Sequence, residues 1–130
     1  MSWEVVAKVP LFGTLNASQI AEIATLLRPR ITIPEEVITR KGDIGDAMYF
    51  IASGRVEVQL DPQPVELKGG DFFGEIALVE QTTRTADVVA LTSCQLLALR
   101  ARDLDDLMEQ SPAIRETVQR TARERREQAS

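Results

Sequence analysis

The chain has 130 residues, a formal net charge of −5, a single cysteine and no histidine. This length suits one domain with a continuous core, and the lack of histidine excludes Ser-His and Cys-His nucleophile pairs and histidine-ligated metal sites. The acidic balance argues against a nucleic-acid interface, and no apolar run approaches the roughly 18 residues that cross a bilayer. We therefore expect a cytoplasmic, non-enzymatic domain without metal or cofactor, in which an anionic ligand would need a local arrangement of binding groups.

The first 29 residues predict a helical segment. Residues 2–12 favour a short helix or turn, and Asn16 with Gln19 forms a capping box that begins a second helix. The apolar face of this helix repeats at helical spacing in Ile20, Ile23, Ala24 and Leu27. We expect Pro29 to end the helix, because proline cannot continue the backbone hydrogen bonds.

Between residues 30 and 100 the apolar pattern becomes that of short strands. Turn signals rich in glycine, aspartate and proline separate them. The candidate strands are 31–33, 37–38, 48–51, 56–60, 65–67, 87–91 and 95–99. Their spacing favours a sandwich or barrel, and at this length an eight-stranded jelly roll flanked by helices, in the α+β class.

Residues 101–130 return to a helical pattern, with one helix over 101–109 and a second that begins at Ser111-Pro112. The second helix extends to about residue 128, and its apolar stripe consists of Ile114, Val118 and Ala122. Such a sparse stripe predicts a weakly docked helix. The segments 1–29, 30–100 and 101–130 together predict a single domain over 1–130.

The segment 69–78 carries the most specific chemistry. A glycine-rich turn leads through two phenylalanines to Gly74 and then to a four-residue run, 75–78. If this run makes one helical turn, its free N–H groups can receive an anion. Arg84 lies six residues further on, close enough for a returning loop to aim its guanidinium at the same anion.

These residues resemble a known family. The run Phe-Gly-Glu-Ile-Ala-Leu at 73–78, followed by Arg-Thr-Ala at 84–86, is similar to the phosphate-binding cassette of cyclic nucleotide-binding domains. The glycine turn and strand at 41–54 resemble the same family. Residues 3–12 and 121–126 are most similar to the C-terminal sensor of bacterial cyclic nucleotide-gated potassium channels.

The resemblance implies how the cassette would hold the ribose phosphate. Gly74, Ile76 and Ala77 would offer backbone contacts to the cyclic phosphate, and Arg84 would pair with its equatorial oxygen. Glu75 would accept a hydrogen bond from the ribose 2′-OH. The short helix within the cassette belongs to the same expectation.

The resemblance also implies residues around the base. Thr85 can hydrogen-bond the guanine of a syn-oriented cGMP, so both cAMP and cGMP stay open as ligands. Arg125 would cap the base from the last helix. The remaining ligand-binding residues are Val58, Val65 and Leu67, which would pack on the purine, and Phe73 of the cassette.

The implied function is ligand sensing, with the last helix closing over the nucleotide and passing its movement to an attached potassium channel pore. No direct membrane insertion or nucleic-acid binding by this chain is expected. The alternative is a cAMP-sensing domain of a catabolite-activator-type transcription regulator or of another cytosolic effector. A cupin-type metalloenzyme is disfavoured by the absence of histidine, and a nucleotide-blind module by the presence of Glu75 and Arg84.

Overall fold

The computed structural model describes residues 3 to 129, so Met1, Ser2 and Ser130 of the predicted terminal segments lie outside the described residues. The helices are α1 (Trp3–Ala7), α2 (Ala17–Leu26), α3 (Glu75–Val79), α4 (Ala101–Gln110) and α5 (Pro112–Ala129), with a 3₁₀ turn at Pro10–Phe12. The strands are β1 (Arg28–Thr32), β2 (Val37–Thr39), β3 (Ala47–Ser53), β4 (Arg55–Gln59), β5 (Val65–Lys68), β6 (Phe72–Phe73), β7 (Asp87–Ala90) and β8 (Cys94–Arg100).

The strands form two antiparallel four-stranded sheets, which confirms the predicted jelly roll. One sheet has the order β1-β8-β3-β6 and the other the order β2-β7-β4-β5. No helix among residues 3–129 is both long and apolar enough to cross a membrane.

The central strands β3 and β8 of the β1-β8-β3-β6 sheet are largely buried on both faces, and this explains their nearly uninterrupted apolar runs. Met48 and Phe50 on β3 pack into a core shared with the helices, whereas Tyr49 and Ile51 face the interior of the roll. The β2-β7-β4-β5 sheet instead shows alternation along β4, where Val56 is fully buried and its neighbour Glu57 is only half-buried. Only one face of this sheet lines the roll.

The last helix is docked through its first half. Ile114 and Val118 of α5 are at most 1% exposed and join the same core as Phe12 and Leu104. The Arg115 guanidinium also donates two hydrogen bonds, of 3.1 and 2.8 Å, to the carbonyl oxygen of Met108 in α4. The predicted apolar stripe is therefore sufficient to fix this half, and the polar second half reaches the cassette.

The first strand differs from the prediction at two points. Helix α2 ends at Leu26, and Pro29 lies within β1, where an edge strand tolerates its missing N–H. The alternating Ile31 and Ile33 face outward, at 75% and 66% exposure, whereas Thr32 is fully buried. Arg30 takes an inward position because its guanidinium donates to the Ile38 carbonyl and the Tyr49 hydroxyl.

Candidate functional site

A cleft of about 620 Å³ opens between the β2-β7-β4-β5 sheet, the cassette and the end of α5. All eleven residues predicted to bind ligand border it, namely Val58, Val65, Leu67, Phe73, Gly74, Glu75, Ile76, Ala77, Arg84, Thr85 and Arg125. Five further residues line the cleft without having been predicted as ligand contacts, although Ala86 belongs to the predicted motif; they are Thr39, Leu60, Ala86, Val88 and Gln128.

Gly74 sets the shape of the cassette. It has a φ of 87°, the left-handed conformation that glycine adopts without strain, and it precedes the short helix α3. A Cβ at this position would lie 2.8 Å from Nη1 of Arg84. Any larger residue would therefore displace the buried arginine as well as strain the turn.

Arg84 is an almost completely buried cation. It is 6% exposed, and its guanidinium donates to the carbonyl oxygens of Gly74 at 3.1 Å and Ala47 at 2.7 Å. Its nearest carboxylate oxygen belongs to Asp46, 3.7 Å away, on a side chain that is 87% exposed. Burial lowers the pKa of Arg84, and the charges of Tyr49 and Asp46 oppose that shift. Among residues 3–129, no buried carboxylate pairs with this guanidinium at hydrogen-bond distance, which favours an anion in the cleft.

The glycine turn after β2 holds the arginine in place. Gly42 N–H donates to the Arg84 carbonyl at 2.9 Å, and Arg84 N–H donates to the Asp43 carbonyl at 2.8 Å. A Cβ on Gly45 would lie only 2.5 Å from the Cβ of Ala77. The turn at 42–45 therefore positions both the arginine loop and the helix of the cassette.

Glu75 is a buried carboxylate that is half satisfied. It is 1% exposed, and its Oε1 accepts from Arg125 at 2.7 Å. Its Oε2 is buried and has no hydrogen-bond partner in the described part of the chain. Burial raises the pKa of Glu75, and the opposing charge of Arg125 lowers it less. An oxygen left bare beside a cleft can accept a hydrogen bond from a ligand hydroxyl.

Arg125 ties the end of α5 to the cassette. Its Nη1 donates to the Phe72 carbonyl at 2.6 Å as well as to Glu75, and its guanidinium lies 5.1 Å from the Phe72 ring centre. The next residue, Arg126, pairs with Glu80 at 2.6 Å. These contacts were not predicted from the sequence, because Glu75 and Arg125 are 50 positions apart and no local pattern relates them. The role of Arg125 as a cap on the base stays a prediction.

The family follows from comparison with known proteins. The model of the cyclic nucleotide-binding domain matches residues 33–111. This match covers both the cassette and the glycine turn that holds Arg84. The chain belongs to the cyclic nucleotide-binding domain family.

Proteins similar to this chain include cyclic nucleotide-gated channels and a catabolite activator protein. A cyclic nucleotide-gated potassium channel of Rhizobium etli is 49% identical over 125 residues, which are 96% of this chain and 35% of the channel. The catabolite activator protein of Thermus thermophilus has 30% identity and a TM-score of 0.75, covering 91% of this chain and 59% of that one. The cAMP-bound PfPKA-R has the same fold, with a TM-score of 0.85, 23% identity and coverage of 93% and 42%. These matches are channels and regulatory binding domains rather than enzymes, and the chain spans about a third of the curated channel.

Proposed function

We propose that this chain binds a cyclic purine nucleotide, cAMP or cGMP, in the cleft between the cassette and the β2-β7-β4-β5 sheet. The proposal rests on one observation: a buried cation and a buried hydrogen-bond acceptor line the same cleft. Arg84 offers a buried positive charge, and Glu75 offers a buried oxygen without a donor. A cyclic nucleotide carries one negative charge on its phosphate, which can pair with Arg84. It also carries one free ribose hydroxyl, which can donate to Glu75.

The cyclic phosphate pairs with Arg84, and the ribose 2′-OH donates to Oε2 of Glu75. The purine then packs against the apolar lining formed by Val58, Val65 and Leu67, which border the same cleft. Thr85, half-buried at the cleft, supplies a hydroxyl that suits guanine as well as adenine. Both nucleotides are therefore ligands to be compared.

The output of binding is a movement of the second half of α5. This half carries the arginines that contact the cassette, so a ligand that changes the environment of Glu75 changes the docking of the helix. In a longer protein like the Rhizobium etli channel, that movement would act on an upstream potassium channel pore from the cytoplasmic side of the membrane. The similarity to a catabolite activator protein supports the second candidate, a cAMP sensor attached to another effector.

Calorimetric titration with cAMP and cGMP tests the binding proposal. We expect the unaltered domain to bind at least one nucleotide. Arg84→Ala should lose about 1.5–3 kcal/mol of binding free energy, which is roughly a 10- to 150-fold weaker affinity, because a charge-assisted hydrogen bond is removed.

Arg55→Ala is the matched control, since Arg55 is half exposed, pairs with Glu66 and lies outside the cleft. It should leave the affinity unchanged. Thermal unfolding of each variant checks that the fold is intact. This check is needed because the Arg84 guanidinium also donates hydrogen bonds to two backbone carbonyl oxygens. Absence of binding by the unaltered domain would reject the function, and equal affinity of a folded Arg84→Ala variant would reject the role of Arg84.

A further inference from the structure

One transverse row of side chains forms the floor of the cleft. Thr39 on β2 is opposite Val88 on β7, Val88 is opposite Val58 on β4, and Val58 is opposite Val65 on β5. Directly opposed residues of antiparallel strands point to the same face. All four residues border the cleft, so the row crosses the sheet from one edge strand to the other.

Thr39 is the polar member of a row that is otherwise valine. Its side chain differs from valine by a hydroxyl in place of a methyl group. The residue is 8% exposed, and within residues 3–129 its hydroxyl makes no hydrogen bond. Unlike Oγ1 of Thr32, this hydroxyl is not enclosed by protein atoms, so it stays accessible from the cleft. The hydroxyl borders the cleft, where an occupant could satisfy it.

A second hydroxyl lies on the same side of the cleft. Thr85 also lines it and stands two residues before β7, the strand that pairs with β2. The opposite end of the row is formed by Val65 on the other edge strand, β5. The polar groups of the floor are therefore concentrated on the β2–β7 side.

We propose that Thr39 is a further specificity-determining residue, whose hydroxyl hydrogen-bonds the purine base of the bound nucleotide. This inference rests on the proposed function. A hydroxyl can both donate and accept, so it can read a polar edge of either purine. Adenine and guanine present different donors and acceptors along their edges, so one hydroxyl at a fixed position serves them unequally.

The test compares Thr39→Val, Thr39→Ser and Thr32→Val in titrations with cAMP and cGMP. Thr39→Val should weaken the binding of one nucleotide by about five- to tenfold and change the cAMP-to-cGMP affinity ratio by at least about threefold. Thr39→Ser keeps the hydroxyl and should keep the ratio. Thr32→Val is the matched control, because Thr32 is another buried threonine without a partner and does not line the cleft.

Each outcome bears on the proposal. Unchanged affinities in a folded Thr39→Val variant would overturn it. An equal loss for both nucleotides would also overturn it, because it would place the contact on the ribose phosphate that they share. If the unaltered domain binds neither nucleotide, the proposed function itself fails, and this result is distinct from a failure of Thr39 alone.

Discussion

The two ends of the roll interior are built from the same strands but are filled differently. At one end, Val56 lies between Ala90 and Leu67 in register, and side chains of the facing sheet such as Ile51 and Leu96 pack against this row. Of the three residues in the row, only Leu67 also borders the cleft. At the other end, two residues along the same strand, Val58 lies between Val88 and Val65 and faces the cleft.

The difference lies in what stands opposite each row. The filled row meets apolar residues that are almost completely buried, whereas the open row borders a cleft that is also lined by the buried Glu75 and Arg84 and by the half-buried Arg125. The filled end therefore stabilises the fold through packing, and the open end keeps polar groups that packing alone does not satisfy. A single sheet can serve both purposes because its inner face changes role within two residues.

The largest expected effect is on the filled end. Leu96→Ala should lower the free energy of unfolding by about 2–5 kcal/mol, because Leu96 is fully buried and its truncation leaves a cavity. Urea unfolding followed by circular dichroism measures this loss. A loss under about 1 kcal/mol would contradict the assignment of close packing at this end.

Truncation in the open row should change binding rather than folding. Val58→Ala removes an apolar contact next to existing space, so we expect nearly unchanged unfolding and a nucleotide affinity about fivefold weaker, or about 1 kcal/mol. Calorimetry and urea unfolding on the same variant separate the two effects. The distinction between the rows is wrong if Val58→Ala destabilises the fold as much as Leu96→Ala.

A smaller effect is expected from the buried carboxylate of the open end. Since burial raises the pKa of Glu75 above the ordinary value of 4.5, the folded protein holds this proton more tightly than the unfolded chain does. The stability from Glu75 is therefore fully present below pH 4.5 and is lost as pH rises through the raised pKa. Glu75→Gln stays neutral at every pH. Its free energy of unfolding, measured with urea, should therefore rise relative to that of the unaltered domain as pH increases through that window. A stability difference that does not change with pH would contradict this prediction.

Local patterns predicted the parts of the fold in which neighbouring residues share one environment. The unbroken run 48–51 and the alternation after Val56 each indicate a strand, and the two sheets explain why the patterns differ. The orientation of β1 was not predictable, because the Arg30 hydrogen bonds to Ile38 and Tyr49 depend on packing between strands. The two-residue strand β6 is too short to show a period, so its two phenylalanines were not predicted as a strand.

The candidate site likewise has a part that local sequence predicts and a part that it does not. The cassette residues are contiguous in sequence, so a motif finds them together with Arg84. Thr39 joins the site through its register with Val88, and Arg125 meets Glu75 through the docking of α5. Neither relation leaves a local signal, since each depends on elements that are distant in the chain.

The smallest expected effect concerns Thr32, a buried threonine whose hydroxyl no ligand can satisfy. Thr32 is 0% exposed, its Oγ1 has no partner among the described residues, and it does not border the cleft. Thr32→Val should therefore leave the free energy of unfolding unchanged or raise it by up to about 1 kcal/mol, since it removes an unsatisfied hydroxyl at similar volume. Thr32→Ser, which keeps the hydroxyl and loses the methyl group, should lower it. A loss of more than about 0.5 kcal/mol in Thr32→Val would contradict this prediction, because it would mean that the hydroxyl contributes to folding.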